Sequence, residues 1–160
     1  MKTGTMIDRG LPMALKVIFL DIDGPLKPAR AYWLQPHVPD GNFDPLAVAA
    51  INLIHEGTRA QVVFNSTWNS SGYERLCRIA AKEGITAPVL GITAFPDLGD
   101  RLEAIQAWIV DHGPVVAWCA LDDETMTDDR CIKVNHDSGI STRDFSAAVR
   151  LLGGRVEGNS

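Results

Sequence analysis

Short apolar runs alternate with helical patterns along most of the chain, and this alternation restricts the fold more than any other feature. Strands that alternate with helices form a parallel sheet covered by helices on both faces, and unbroken apolar strands are typical of such a doubly covered sheet. We therefore predict a three-layer α/β fold, with strands at 15–20, 60–64, 88–90, 115–121 and 131–134 and helices at 44–56, 71–83, 99–112 and 142–152.

The length of the chain, 160 residues, suits one domain with a substantial core. We predict a single domain over 14–153, a flexible leader over 1–13 and a flexible, glycine-rich tail over 154–160. No apolar run is long enough to cross a membrane. The cysteines are odd in number and far apart, which is typical of reduced thiols in a cytoplasmic protein: Cys77, Cys119 and Cys131.

The segment 25–42 contains four prolines and no regular pattern, and we predict an irregular flap here. A loop of this length in a compact domain is usually functional or disordered. Three of its side chains can stack on a base or line a cleft, and can equally well anchor the loop: Tyr32, Trp33 and His37.

Polar side chains follow three of the predicted strands at the point where each strand ends. They are Asp21 and Asp23, then Ser66 and Thr67, then Asp122 and Asp123. The carboxyl ends of parallel strands meet at one edge of a sheet, where ligands bind. Four carboxylates at this edge repel one another, and a hard divalent cation such as Mg²⁺, which prefers oxygen ligands, relieves that repulsion. The sequence therefore predicts a Mg²⁺ site.

The first pair of aspartates lies where the chain turns, so both carboxylates can face one cleft. One of Asp21 and Asp23 can attack as a nucleophile while the other passes protons to and from a leaving oxygen. Gly24 allows the tight turn that follows, and the Ser66 hydroxyl can hydrogen-bond a phosphoryl oxygen. A cation is still needed to balance the charge of the transition state.

Each of these residues also has a simpler interpretation. The first two aspartates can be solvated turn residues or a metal site without chemistry, and Ser66 can be a helix N-cap. Asp122 and Asp123 can be acidic loop residues. Arg101 can be a solvated helix residue, and Trp68 can belong to the core. We predict function for the aspartates and Ser66 because they follow three strands in order.

Three motifs, in order, resemble those of the haloacid-dehalogenase-like (HAD-like) phosphohydrolase superfamily. FLDIDG at 19–24 resembles the first motif, VVFNSTW at 62–68 the second and ALDDE at 120–124 the fourth. A closer likeness is to small, nearly capless members, the HAD domains of RNA-repair-associated proteins, in which a tryptophan follows the hydroxyl residues as Trp68 does here. This resemblance implies a Rossmann-like, HAD-like parallel sheet with a minimal cap.

The resemblance also implies a role for each matching residue. Asp21 would be the nucleophile that forms an aspartyl-phosphate. Asp23 would be the general acid and base, and would bind metal through its backbone carbonyl. Ser66 would hold the phosphoryl group, with Thr67 as the alternative one position later.

The same resemblance implies a metal site and a cation. Asp122 would be a Mg²⁺ ligand with Asp123 beside it. The family usually has a lysine near the start of the helix before the acidic pair, and here the best-placed cation is Arg101, with Lys133 and Lys82 as alternatives. Arginine can pair with phosphate through two nitrogens, but it is not equivalent to lysine.

The function implied is a Mg²⁺-dependent phosphomonoesterase, with a phosphorylated substrate and no membrane partner. The predicted substrate-binding residues are Gly24, Thr67, Trp68, Trp33 and His37. A chain this short leaves no room for a large cap, so the open site can admit a nucleic-acid end. The excess of 20 acidic over 15 basic residues argues against nucleic acid and keeps a nucleotide or a small sugar or metabolite phosphate as alternatives. A phospho-acceptor module and a non-catalytic binding domain are the alternatives of another class.

Overall fold

The structure, a computed structural model, describes residues 14–34, 40–94 and 100–155. The strands in these ranges are β1 (Leu15–Leu20), β2 (Gln61–Phe64), β3 (Val89–Ile92), β4 (Val115–Asp122) and β5 (Cys131–Lys133). The α-helices are α1 (Ala29–Leu34), α2 (Pro45–Thr58), α3 (Tyr73–Lys82), α4 (Arg101–His112) and α5 (Thr142–Leu151). A short 3₁₀ helix, Thr67–Ser71, precedes α3.

The five strands form one parallel sheet in the order β3-β2-β1-β4-β5. β1 lies at the centre, where Phe19 pairs with Val63 of β2 on one side and with Ala120 of β4 on the other. Because all strands run in the same direction, their carboxyl ends meet at a single edge of the sheet. The predicted α/β fold with a parallel sheet is confirmed.

Both faces of the sheet are covered, which explains why the buried parts of its strands, such as 17–20 in β1, are apolar. Along β1, Ile18 and Leu20 pack into a core shared with α2, α3 and α5, whereas Val17 and Phe19 pack into a second core against α4. In this second core Phe19 makes an edge-to-face contact with Trp108, with ring centroids 5.7 Å apart. The helices therefore form two layers around the sheet, as predicted.

The prediction of an irregular segment over 25–42 is wrong for part of it, because α1 occupies Ala29–Leu34. Pro28 lies immediately before this helix, where a missing N–H and a fixed φ favour helix initiation and do not interrupt it. The first N–H of the helix, that of Ala29, donates to the carbonyl of His136 at 2.9 Å. His37 lies outside the described residues, as do the predicted leader and the last five residues of the predicted tail.

The helices have lengths typical of a globular domain, and the longest of those described, α2, has 14 residues. None of the helices within 14–34, 40–94 and 100–155 combines the length and the apolar character needed to cross a membrane.

Candidate active site

Three carboxylates meet where the two central strands end. Asp122 ends β4, and the N–H of Asp21 continues the ladder beyond β1 by donating to the Leu121 carbonyl at 3.0 Å. Asp21 and Asp122 are only 2% and 1% exposed. One side-chain oxygen each from Asp21, Asp122 and Asp123 lies within 4.8 Å of the other two. The structure thus brings together three of the four carboxylates that were predicted to converge.

Burial in this cluster disfavours the charged form of the carboxylates. The pKa of Asp21 is raised to about 8, mainly by burial and then by repulsion from Asp122, while Arg101 and the N–H of Ile22 oppose the shift. The pKa of Asp122 is raised to about 6, again mainly by burial, against the opposing effects of the Glu124 N–H and Arg101. Ionising both of these carboxylates is therefore unfavourable unless further positive charge is present.

This donor set fits Mg²⁺. The ion prefers carboxylate and water oxygens, and it usually takes one or two carboxylates from the protein and keeps positions for water and phosphate. Asp21, Asp122 and Asp123 supply such oxygens at mutual distances that one ion can bridge. The side chain of Asp23 is not part of this group, since both of its oxygens accept hydrogen bonds from other side chains. The metal contact predicted for Asp23 is made by its backbone carbonyl and stays a prediction.

Arg101 supplies the positive charge of the site and begins α4. Its Nη1 lies 2.9 Å from Asp122 Oδ2 and 3.3 Å from Asp21 Oδ2, and its Nε lies 3.2 Å from Glu124 Oε1. The side chain of Asp100 caps α4 by accepting from the Leu102 and Glu103 N–H groups. Arg101 therefore enters the site from a fixed helix end. The sequence pattern alone did not decide which cation lies at the site.

A buried asparagine holds both ends of Arg101. The Asn65 side chain donates to the Arg101 carbonyl at 3.2 Å, and the Asn65 carbonyl lies 3.5 Å from Arg101 Nη1. Thr93, at the end of β3, donates to Asn65 Oδ1 at 2.7 Å. The two alternative cations lie elsewhere: Lys82 Nζ donates to the Asp40 carbonyl, and Lys133 is exposed at the end of β5.

Ser66 is fully buried where β2 gives way to the 3₁₀ helix. Its Oγ accepts the Trp68 N–H at 3.1 Å, so Ser66 does act as an N-cap, the simpler interpretation of this residue. A serine hydroxyl that accepts one hydrogen bond can still donate its proton, so the cap does not exclude contact with a phosphoryl oxygen. Thr67 is exposed beside it.

The Asp23 carboxylate is held by two aromatic side chains. Tyr32 Oη donates to Asp23 Oδ1 at 2.5 Å, and Trp68 Nε1 donates to Asp23 Oδ2 at 3.0 Å. Trp68 also packs edge-on against Phe43, with ring centroids 6.2 Å apart. Trp33, next to Tyr32 on α1, is 78% exposed.

Two residues near the site were not selected from the sequence. Lys27 is only 1% exposed although it carries a charge, and its Nζ lies over the rings of Tyr32 and Trp68. His136 Nδ1 lies 2.7 Å from Asp123 Oδ2. Only their positions in the sequence could have indicated these two residues. Lys27 follows Asp23 by four residues, and His136 follows β5, the strand beside β4.

Gly24 permits the close approach of the chain to the acidic cluster. Its φ is +107°, and a Cβ here would lie 2.8 Å from the Cβ of Asp123. We expect Gly24→Ala to displace Asp123, to cost about 1 kcal/mol or more in unfolding free energy, and to weaken Mg²⁺ binding about tenfold. Calorimetric Mg²⁺ titration and thermal unfolding measure both effects.

Gly57→Ala is the matched control for that substitution. Gly57 lies within α2 and a Cβ there would meet no atom within 4 Å, so we expect slightly higher stability and unchanged Mg²⁺ affinity. A folded Gly24→Ala protein that binds Mg²⁺ like the unsubstituted protein would contradict the assignment of Asp123 to the cation site.

A comparison with known protein families finds a match over most of the chain. The family described as HAD domain in Swiss Army Knife RNA repair proteins matches residues 17–145, a range that contains Asp21, Ser66, Arg101 and Asp122. No curated protein and no solved structure matches the chain. The chain therefore belongs to the family of HAD domains in Swiss Army Knife RNA repair proteins, which are domains of the HAD hydrolase type.

Proposed function

We propose that the protein is a Mg²⁺-dependent phosphomonoesterase that forms an aspartyl-phosphate on Asp21. One observation carries this proposal: Asp21 is buried among Asp122, Asp123 and Arg101 at the end of β1, while Asp23, two residues later, lies outside that group with its carboxylate fixed separately. Two carboxylates with different surroundings suit two different roles, one as nucleophile and one as acid and base.

In the first step a carboxylate oxygen of Asp21 attacks phosphorus. A phosphorus–oxygen bond to Asp21 forms, the bond to the leaving oxygen breaks, and Asp23 gives that oxygen a proton. The Ile22 N–H donates to Asp21 Oδ1 at 2.8 Å and Arg101 Nη1 lies 3.3 Å from Oδ2, so the attacking group is held from both sides.

In the second step a water molecule attacks the same phosphorus atom. Asp23 takes a proton from this water, the bond between phosphorus and Asp21 breaks, and inorganic phosphate leaves. In this proposal the Ser66 hydroxyl and the Arg101 guanidinium bind phosphoryl oxygens during both steps. When bound by Asp21, Asp122 and Asp123, Mg²⁺ supplies positive charge that offsets the charge of the phosphoryl group.

We propose phosphorylated nucleic-acid ends or nucleotides as the substrate class. The family occurs in RNA repair proteins, and α1 presents Trp33, with 78% of its surface exposed, one residue from the tyrosine that contacts Asp23. An exposed indole is a surface on which a base can stack. The net charge of −5 favours a smaller substrate, so sugar and other metabolite phosphates are the alternative.

The test is phosphate release with and without Mg²⁺. The substrates are an aryl phosphate, free nucleotides, sugar phosphates, and RNA and DNA oligonucleotides phosphorylated at the 3′ or the 5′ end. We expect phosphate release that EDTA abolishes. We expect Trp33→Ala to lower kcat/KM about tenfold for oligonucleotides and to leave the turnover of aryl phosphate unchanged.

Other outcomes of this assay would select the alternatives. A stable phosphoprotein without phosphate release would favour a phospho-acceptor module. No reaction from a folded protein that still binds phosphate would favour a non-catalytic binding domain. Turnover of sugar phosphates alone would overturn the nucleic-acid and nucleotide assignment.

A further inference from the structure

We propose that Tyr32 and Trp68 are positioning residues, which hold the Asp23 carboxylate in the orientation needed to protonate the leaving oxygen. This inference rests on the phosphomonoesterase function proposed above and adds two residues to it. Both residues donate to Asp23, which lies outside the group of carboxylates that would bind Mg²⁺, and in this inference each acts through Asp23.

Each oxygen of the Asp23 carboxylate has its own donor from a different part of the chain. Tyr32, on α1, donates to Oδ1 at 2.5 Å, and Trp68, on the 3₁₀ helix, donates to Oδ2 at 3.0 Å. Both groups remain donors in this arrangement. An indole N–H can only donate, and the pKa of Tyr32 is raised by burial and by its hydrogen bond to Asp23, so the phenol keeps its proton.

The two donors are themselves fixed. The Trp68 ring packs against Phe43, and the backbone N–H of Trp68 donates to Ser66 Oγ. The Nζ of buried Lys27 lies 4.6 Å from the Tyr32 ring centroid and 5.5 Å from the Trp68 ring centroid, so one cation contacts both aromatic faces. Burial lowers the pKa of Lys27, while the negative charge of Asp23 favours its protonated form.

This arrangement matters because Asp23 lies on a turn and is only partly buried. A carboxylate in such a place would otherwise sample several rotamers, and a general acid works only when its oxygen lies within hydrogen-bond reach of the leaving group. Two donors from separate elements select one orientation and leave the remaining lone pairs for the proton that is transferred.

The test is the dependence of kcat/KM on the leaving group, with Mg²⁺ present. This ratio reports the transfer of phosphorus to Asp21 and not the later attack of water, in which Asp23 also acts. Tyr32→Phe removes one hydroxyl and keeps the ring over Lys27, and Trp68→Phe removes the indole N–H. We expect each variant to lose about tenfold or more in kcat/KM on an alkyl phosphate, whose leaving oxygen needs a proton. The loss on dinitrophenyl phosphate, whose leaving group needs none, should be only about twofold.

Two comparisons separate positioning from a structural effect. Tyr73→Phe is the matched control, because Tyr73 donates to the Val89 carbonyl away from the site, and it should keep the leaving-group dependence of the unsubstituted protein. In an Asp23→Asn background, Tyr32→Phe should cause no further loss on the alkyl phosphate, because the group it positions no longer acts as an acid. Equal losses on both substrates, or additive losses with Asp23→Asn, would overturn the inference.

A second readout does not depend on turnover. The Trp68 indole N–H resonance in a ¹H–¹⁵N spectrum, assigned with Trp68→Phe, should shift in Asp23→Asn and should not shift in Tyr73→Phe. If the Trp68 indole resonance has the same chemical shift in Asp23→Asn, the contact between Trp68 and Asp23 is contradicted, even if the enzyme is active. Failure of the proposed function looks different: the unsubstituted protein would hydrolyse nothing, and the inference about leaving-group protonation would fall with it.

Discussion

Asp21→Asn is expected to lower Mg²⁺-dependent phosphate release on the order of 10³-fold or more, because it removes the attacking oxyanion. The substitution changes the volume of the side chain very little, and an amide oxygen can still accept the Ile22 N–H that Asp21 accepts at 2.8 Å. The loss should therefore appear in kcat and not in folding. Initial rates on the best substrate of the panel, together with circular dichroism, measure both.

Acid quenching of the reaction separates loss of the nucleophile from loss of binding. The unsubstituted protein should carry a phosphoryl group from labelled substrate, and Asp21→Asn should carry none. Asp111→Asn, an exposed aspartate near the end of α4, is the matched control and should behave like the unsubstituted protein. A labelled Asp21→Asn protein, or one that keeps a tenth of the original rate, would contradict the role of Asp21.

The strands and their polar ends were predictable because they depend on local sequence and on one rule. A short apolar run such as 17–20 favours a strand covered on both faces, and the structure has these residues in β1. The residues that follow such strands share one edge of the sheet, so Asp21 and Asp122 were expected to meet before any contact was known.

The contacts that complete the site could not be predicted from the same pattern. Arg101 reaches Asp122 because Asp100 caps α4 and Asn65 binds both ends of the arginine, and these contacts join residues far apart in sequence. The prolines of the segment 25–42 suggested an irregular flap, yet a proline just before a helix favours it, and α1 forms. The burial of Lys27 could not be predicted either, because a buried lysine is rare and one of the rings it lies over, that of Trp68, is far away in the sequence.

Without Mg²⁺, the free energy of unfolding is expected to fall as the pH rises from about 5 to about 8. The pKa of Asp21 rises from 3.8 in the unfolded chain to about 8 in the folded protein, and that of Asp122 to about 6. In this range the folded state binds more protons than the unfolded state, so stability decreases with pH. One pKa unit corresponds to about 1.4 kcal/mol, so the loss should be on the order of 2 kcal/mol or more.

Urea unfolding at about pH 5 and pH 8, in EDTA and in Mg²⁺, measures this effect. His136 beside Asp123 also has a raised pKa and contributes with the same sign, so the comparison that isolates Asp21 is the Asp21→Asn protein. In EDTA near pH 8 that variant should be more stable than the unsubstituted protein, because it no longer buries this charge. Mg²⁺ should stabilise the unsubstituted protein more at pH 8 than at pH 5, since the ion binds the deprotonated carboxylates. If stability in EDTA stays constant or rises over this pH range, the three carboxylates do not form the buried acidic cluster from which the metal site is inferred.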